Sequence, residues 1–310
     1  MKSTALHRRL LSAVSLVMAA LPVMIVGVSP AHANAEFNYP RGVAVDRQGN
    51  IFVADFGNGR VVELSPKGRV LRAWQAGCDH STSGRPSGLA LDRLENVYVT
   101  DWDCVLKYSS RGRLLGQFGT AGDGEFKYPL GVAVGGRGNI FVANRDKHSI
   151  EKLSPSGHVL ATWDTRNSDG DAPVAPESIA VDGAGIIYTE VCKIIFGGYI
   201  TQSCAIQKRR PDGGLLAQWF LGDHVSLYAL GVGGRGNVFV GRERRIVKLS
   251  PDGERLAVWW PRGVTGPSAI ATDSRGNLYV ADARNVIVKL SSTGRELAVW
   301  PSCDCIEPTR

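Results

Sequence analysis

Histidine is the residue type in this sequence best suited to hold a catalytic metal, and three histidines fall in segments that we expect to be loops. These are His80, His148 and His224. Three imidazoles that converge on one point can hold Zn²⁺ and leave a position open for water. The three are far apart in the chain and lack the local spacing of a ligand motif, so scattered, solvated histidines are the competing interpretation. We therefore expect no cofactor, with Zn²⁺ or Ca²⁺ as the alternative that remains open.

Cysteine is the second residue type with chemistry of its own. The chain contains Cys78, Cys104, Cys192, Cys204, Cys303 and Cys305. None lies in a Cys-x-x-Cys pair, which disfavours a zinc ribbon or a thioredoxin-like site, and the even count favours disulfides. Spacing does not fix the pairing. Bridges 78–104 and 192–204 are the two that the predicted loops would bring together.

The N-terminal segment has the layout of an export signal. Its first nine residues carry Lys2, Arg8 and Arg9 and no acid, residues 10–28 are uncharged, and a small-x-small sequence ends at Ala33. We expect a cleaved signal peptide at 1–33 and a secreted or periplasmic protein. The alternative is an uncleaved membrane anchor, because the apolar run is nearly long enough to cross a bilayer.

The charge balance argues against a nucleic-acid partner. The formal net charge is +7 for the whole chain and +4 without residues 1–33, which is ordinary for a soluble surface. No second apolar run is long enough to span a membrane. After signal cleavage we expect neither a nucleic acid nor a membrane among the partners.

Six copies of one pattern supply the elements that must position these residues. Each copy contains an apolar run that starts at one anchor residue, and successive anchor residues lie 40 to 51 positions apart. The anchor residues are Asn50, Asn96, Asn139, Ile186, Asn237 and Asn277. An aromatic residue closes each copy, at Trp74, Phe118, Trp163, Trp219, Trp259 and Trp300. Each copy reads as four short strands, and helical periodicity is absent after residue 33. The pattern predicts an all-β fold, a six-bladed β-propeller of four-stranded antiparallel blades.

The copies also define the domain limits. We expect the propeller to span 34–302 and a C-terminal tail to occupy 303–310. The blades cover approximately residues 39–75, 85–119, 128–164, 175–220, 227–260 and 266–301. No strand would be exchanged where the ring closes, so closure would depend on packing between the first and last blades. Cys303 and Cys305 could add a covalent clip there, and the recurring tryptophans should pack between blades.

The repeated motifs resemble those of a known family. Pro-x-Gly-(Val/Leu)-Ala-(Val/Leu)-Asp, then Gly-Asn-(Ile/Val/Leu)-(Phe/Tyr)-Val-Ala-Asp, then Val-Lys-Leu-Ser-x-x-Gly are similar to the NHL repeat. Copies one, three and six match best, and copies four and five depart most. The resemblance implies a secreted NHL-repeat propeller, and it specifies fold more than function. Proteins of this kind include adaptors for protein or RNA, extracellular sensor modules, lactonases, and a peptide-amidating lyase that uses histidine-bound zinc.

The most variable loops are expected on one rim of the ring, which we call the first rim. It carries the loops before strand one and between strands two and three of each blade. The residue after each repeat proline should lie at the channel mouth. These residues are Arg41, Ser87, Leu130, Glu177, Tyr228 and Ser268. A lactonase-like metal site would need more carboxylates than Glu177 alone, whereas a mixed polar ring suits a small ligand or a peptide.

The residue that ends strand two supplies further candidates. Asp55, Asp101 and Asp282 recur at this position, and we expect each to accept backbone N–H bonds in the loop that it opens. Asn144, Glu190 and Arg242 replace the aspartate in the other copies. The change of residue type makes Glu190 and Arg242 candidate ligand-binding residues.

Copy four contains the largest insertion, between Glu190 and Ile206. Gly197-Gly198 between apolar runs predicts a hairpin turn, and a 192–204 disulfide would staple its base. Phe196 and Tyr199 at the tip would then form an apolar protrusion that binds a partner. The alternative is a flap folded over the channel.

The expected function is that of a binding or scaffold module. Its loop-rich first rim would be presented to an extracellular protein, peptide or glycan. The alternative is a metal-dependent propeller enzyme of the lyase or lactonase type with its site at the channel mouth. No nucleophile elbow or phosphate-binding glycine loop is present, so the sequence favours the non-enzymatic interpretation.

Overall fold

A computed structural model describes residues 36–78, 84–119, 126–165, 174–195, 201–220 and 227–301. Within them the chain forms 24 β-strands and two short 3-10 helices, Phe56–Asn58 and Arg145–Lys147. Each group of four consecutive strands forms its own sheet, with neighbouring strands antiparallel.

The first three sheets come from the first half of the chain. Sheet one contains β1 (Pro40–Val45), β2 (Ile51–Asp55), β3 (Arg60–Leu64) and β4 (Val70–Gln75). Sheet two contains β5 (Leu89–Leu91), β6 (Val97–Asp101), β7 (Cys104–Tyr108) and β8 (Leu114–Phe118). Sheet three contains β9 (Pro129–Val134), β10 (Ile140–Asn144), β11 (Ser149–Leu153) and β12 (Val159–Asp164).

The remaining sheets follow in the same way. Sheet four contains β13 (Val174–Val181), β14 (Ile187–Ile195), β15 (Thr201–Arg209) and β16 (Leu215–Phe220). Sheet five contains β17 (Leu227–Val232), β18 (Val238–Arg242), β19 (Arg245–Leu249) and β20 (Arg255–Trp259). Sheet six contains β21 (Pro267–Thr272), β22 (Leu278–Asp282), β23 (Val286–Leu290) and β24 (Glu296–Pro301).

The six sheets are the blades of a closed ring, which confirms the predicted all-β, six-bladed propeller. The first strand of each blade packs against the first strand of the next, and β21 packs against β1. The ring closes without strand exchange, as expected. Two hydrogen bonds cross the closure, from Ser268 Oγ to the Pro40 carbonyl at 2.5 Å and from the Tyr39 amide to Asn285 Oδ1 at 2.7 Å.

Burial increases toward the middle strands of each blade. Every residue of β2 and β3 is buried, whereas β4 is half-buried or exposed along its length. Apolar clusters lie between neighbouring blades, and one of them joins Val53 and Leu64 of the first blade to Tyr279 of the last. Neighbouring blades therefore cover faces that a lone four-stranded sheet would expose to water.

The anchor asparagine of the repeat has a specific structural role. Asp46 accepts hydrogen bonds from the amide and the side chain of Asn50, both at 2.7 Å, and Gly49 between them has φ +87°. Asp92 with Asn96, and Asp273 with Asn277, repeat this arrangement. These side chains fix the tight turn between strands one and two, as the sequence predicts.

The recurring aromatic residues connect each blade to the next, as expected. The Trp74 ring packs on Gly112, in the turn between the third and fourth strands of blade two. The same contact joins Phe118 to Gly157, Trp163 to Gly213, Trp219 to Gly253, Trp259 to Gly294 and Trp300 to Gly68. The last pair links blade six to blade one, so the series is circular.

Several expectations concern residues outside the described ranges. They are the signal peptide at 1–33, the tail at 303–310 with Cys303 and Cys305, and the side chains of His80, Phe196, Tyr199 and His224. In the part of the chain that is described, no helix has the length and apolar character needed to cross a bilayer.

Candidate functional site

A polar cavity of about 420 Å³ lies at the centre of the ring on the first rim. Residues in or just before the first strand of every blade contribute to its wall, among them Arg41, Ser87, Leu130, Glu177, Leu230 and Ser268. Five of the six residues that follow a repeat proline are therefore brought together here. The sixth, Tyr228, lies in β17, and only its backbone is described.

One acidic side chain and two arginines face this cavity. Arg145 Nε lies 3.4 Å from Glu177 Oε1. Burial raises the pKa of Glu177, and the positive charges of Arg145 and Arg41 partly oppose that rise. Arg41 and Glu177 both line the cavity and come from blades one and four of the six. The mouth thus combines a cationic and an anionic wall.

Three residues of the mouth were not identified from the sequence: Arg145, Tyr39 and Tyr128. Both tyrosines have positive φ, 56° and 51°, which costs a non-glycine residue on the order of 1–3 kcal/mol and is concentrated at functional sites. Each precedes a repeat proline, so the Tyr-Pro pair in copies one and three was the available signal. Arg145 directly follows the residue that ends strand two.

The aspartates that end strand two stabilise the loop that leads into strand one. Asp55 accepts the Asn38 amide at 2.7 Å, and Asp101 accepts the amides of Cys78 and Arg85 at 2.9 and 2.8 Å. Asp282 accepts the Thr265 amide at 2.7 Å. The expected backbone N–H bonds are present, but most donors lie in the preceding loop, because both loops meet on the first rim.

Glu190 replaces this aspartate in blade four and is almost completely buried. Desolvation, together with the negative charge of Glu177, raises the pKa of Glu190 well above its usual range. The longer side chain thus places a second carboxyl group near the channel wall. The two acids cannot both be ionised without repulsion.

Arg242 replaces the aspartate in blade five and pairs in register with Arg245 on the next strand. Burial and the charge of Arg245 lower the pKa of Arg242. Arg245 lies over the Trp260 ring, 5.3 Å from its centroid. Arg242 does not line the central cavity described above, so its proposed role in ligand binding would belong to the outer part of the rim.

Both predicted disulfides are formed, Cys78–Cys104 and Cys192–Cys204. Cys192 and Cys204 are directly opposite each other in the β14–β15 pair, which continues to Ile195 and Thr201. The insertion is therefore a hairpin that extends the sheet of blade four. None of its described residues lines the central cavity, and its tip lies outside the described ranges.

The described residues offer a poor fit to a bound metal ion. His148 Nδ1 is buried and has no hydrogen-bond partner, but no two other ligand atoms among the described residues lie close enough to complete a site with it. The two clusters with suitable spacing each contain both cysteines of a disulfide, Cys78–Cys104 or Cys192–Cys204. Those sulfurs are unavailable as thiolate ligands, so no chemical step is assigned to a metal.

Comparisons with known proteins agree with the repeat pattern. The family model "NHL repeat" matches residues 37–64. Peptidyl-glycine alpha-amidating monooxygenase A of Xenopus laevis is 29% identical over 131 residues, which cover 37% of this chain and 14% of that protein. Monooxygenase B of the same organism is 28% identical over 131 residues, with 37% and 15% covered. The match thus spans about one seventh of the length of these curated relatives.

Solved structures share the fold at low sequence identity. A streptogramin B lyase has a TM-score of 0.58 and 16% identity, with 88% of this chain and 87% of that chain covered. An inactive variant of virginiamycin B lyase from Staphylococcus aureus, solved with quinupristin, has a TM-score of 0.61 and 14% identity over 88% of this chain and 89% of that chain. At these identities the likeness establishes the propeller fold alone.

Proposed function

We propose that this protein is an exported binding module that takes its ligand at the channel mouth of the first rim. The observation that carries this proposal is the polar cavity of about 420 Å³, in which Arg41 and Arg145 face Glu177. Concave sites with a few convergent polar groups on a rigid scaffold are the usual location of ligand binding. The ligand is a protein segment, a peptide or a glycan that presents charged or hydrogen-bonding groups to this mouth.

Export is supported by the two disulfides, because disulfides persist in oxidising compartments such as the periplasm or the extracellular space. The partners are accordingly extracellular. The hairpin that extends the sheet of blade four adds a second surface to this proposal. In this proposal Phe196 and Tyr199 contact that partner, together with Arg242 and Tyr228, while the buried Glu190 acts on the mouth through its charge coupling to Glu177.

The proposal can be tested by screening the labelled protein against arrays of peptides and glycans. The double variant Arg41→Ala/Arg145→Ala should lose the ligands that the unaltered protein retains. A matched control is Arg47→Ala/Arg69→Ala, which changes the same residue type at exposed positions away from the mouth. Equal binding by the mouth variant and the unaltered protein would argue against the channel mouth as the site.

A metal-dependent propeller enzyme of the lyase or lactonase type is the second candidate. It is favoured by the two neighbouring carboxyl groups of Glu177 and Glu190, whose pKa values are both raised by burial. In this alternative His80, His148 and His224 would supply metal ligands. Elemental analysis of purified protein is the test: one tightly held Zn²⁺ or Ca²⁺ per chain, lost in the His148→Ala variant, would favour the enzyme.

A further inference from the structure

Arginines and aromatic rings alternate along the first rim from blade one to blade three. Arg41 Cζ lies 3.9 Å from the centroid of the Phe56 ring, and Arg85 Cζ lies 5.7 Å from the same centroid. Arg85 also lies over Trp102 at 5.2 Å. The Trp102 and Tyr128 rings are 5.3 Å apart. This series, with Arg145 at its end, is called the arginine–aromatic arc.

Arg145 completes the arc at the channel mouth. Its Cζ lies 5.7 Å from the centroid of the Tyr128 ring, and its Nε faces Glu177. The arginine–ring distances along the arc are within the range of favourable cation–π contact, and the Trp102–Tyr128 distance is within the range of aromatic pairs. The rings therefore hold three guanidinium groups in fixed positions along one curved line.

The first two guanidinium groups are available to an external anion. Within the described ranges, no carboxylate lies within ion-pair distance of the Arg41 or Arg85 guanidinium. Each of these two guanidinium groups lies over an aromatic ring, and a ring leaves N–H groups of the guanidinium able to donate to an anion. A planar carboxylate matches such an edge through two parallel hydrogen bonds.

A groove runs beside the first part of the arc, from Arg41 to Arg85, and adjoins the central cavity. It has a volume of about 630 Å³, and Asn38, Tyr39, Arg41, Phe56 and Arg85 contribute to its walls. Tyr39 and Arg41 line both the groove and the central cavity. An elongated ligand can therefore lie along the arc and enter the mouth with one end.

We infer that the arginine–aromatic arc binds a chain of uronic-acid sugars, with the carboxylates of the sugars on the guanidinium groups. This inference deepens the proposed function and rests on it. The Tyr39 and Trp102 rings are each 49% exposed, and half-exposed rings offer apolar faces to the C–H groups of sugar rings. The occupant is thus polyanionic, elongated and rich in apolar C–H faces.

Two other classes of polyanion fit less well. A peptide that added a strand would need a free strand edge, but the first strands pack edge to edge around the mouth: a Cβ on Gly131 would lie 2.9 Å from the Ile179 amide nitrogen. A nucleic acid would supply phosphates and stacking bases, but the two disulfides indicate an oxidising compartment, and the formal net charge of +4 without residues 1–33 is not the strongly basic charge of a nucleic-acid binder.

The test uses titration calorimetry with a short oligogalacturonate as the probe. Its fully methyl-esterified form is the uncharged control for the ligand. Arg41→Ala/Arg85→Ala is the test variant, and Arg47→Ala/Arg69→Ala, which removes two exposed arginines from blade one on the opposite rim, is the matched control. Thermal unfolding establishes that each variant is folded. A further variant, Arg41→Lys/Arg85→Lys, keeps both positive charges but removes the planar guanidinium groups that can form two parallel hydrogen bonds to a carboxylate.

We expect the unaltered protein and the opposite-rim control to bind the acid form and not the ester. The Arg41→Ala/Arg85→Ala variant should bind at least about tenfold more weakly, and the lysine variant should be intermediate. Equal binding of acid and ester, equal losses in both alanine variants, or tighter binding of poly-glutamate or a single-stranded oligonucleotide would overturn the inference. If uronates fail to bind while an array ligand is lost in the Arg41→Ala/Arg145→Ala variant, only this inference fails and the proposed function stands.

Discussion

The indole of Trp300, in the last strand of the propeller, packs directly on Gly68, in a turn of the first blade. Gly68 has φ +83°, a backbone conformation that other residues rarely adopt. The contact repeats between every pair of neighbouring blades, and at this position it closes the ring. The described residues therefore complete the circle by packing and by the hydrogen bonds of Tyr39 and Ser268.

A side chain at Gly68 should weaken this closure. In Gly68→Ala the new Cβ meets both the unfavourable φ and the Trp300 ring, so we expect a loss of about 2–4 kcal/mol in the free energy of unfolding. Gly183 is exposed, has no positive φ and has open space around its Cα. Gly183→Ala should therefore change stability by less than about 0.5 kcal/mol. Denaturant unfolding, followed by tryptophan fluorescence, measures both values, and similar losses would contradict this account of closure.

Glu190 should reduce stability as the pH rises. The pKa of its carboxyl group is raised in the folded protein by burial and by Glu177. The stability of the fold with protonated Glu190 is fully present below the unfolded-state pKa of this carboxyl group. That stability is lost as the pH rises through the folded-state pKa. Glu190→Gln should therefore raise the melting temperature at neutral pH and leave it nearly unchanged near the pKa of an ordinary glutamate. The exposed Glu254 supplies the control, Glu254→Gln, and an equal effect of both variants would contradict the prediction.

The two disulfides should differ in their contribution to stability. Cys78 and Cys104 are 26 residues apart, and Cys192 and Cys204 are 12 apart. In the chain-entropy model the longer loop is the more stabilising, by about 0.7 kcal/mol. Cys78→Ala/Cys104→Ala should thus destabilise the protein more than Cys192→Ala/Cys204→Ala does. Equilibrium unfolding of both double variants checks the order, and the reverse order would show that native packing dominates.

Binding of an anionic ligand at the mouth should strengthen as the pH falls from neutral to about pH 5. The pKa of Glu177 is raised by burial, so this carboxylate is neutralised at a higher pH than an ordinary glutamate. Neutralisation removes a negative charge from the mouth and breaks the ion pair between Glu177 and Arg145, which keeps its ion pair with Asp146. Glu177→Gln should bind more tightly at neutral pH and lose this pH dependence. Calorimetric titrations with oligogalacturonate across this range measure the effect, and an unchanged pH dependence in the variant would contradict it.

The fold was predictable from the sequence because the repeat is local. Asp46 and Asn50 fix a turn, and Trp74 marks the fourth strand, so one copy specifies a whole blade. The number of copies then gives the number of blades. The position of Glu177 near the mouth followed from its place after a repeat proline.

The arginine–aromatic arc could not be identified in this way. Phe56, Arg85 and Trp102 lie in loops of different blades and meet only because the ring brings those loops together on one rim. Their spacing in the chain carries no periodic signal. The burial of Glu190 could not be predicted for the same reason, because its neighbours Glu177 and Cys204 lie on other strands.

The most direct test of the binding proposal is a crystal structure with the tightest ligand from the array screen. We predict ligand density on the first rim, in contact with Arg41 and Glu177 and reaching into the central cavity. Density confined to the opposite rim or to the outer fourth strands would contradict the proposed site.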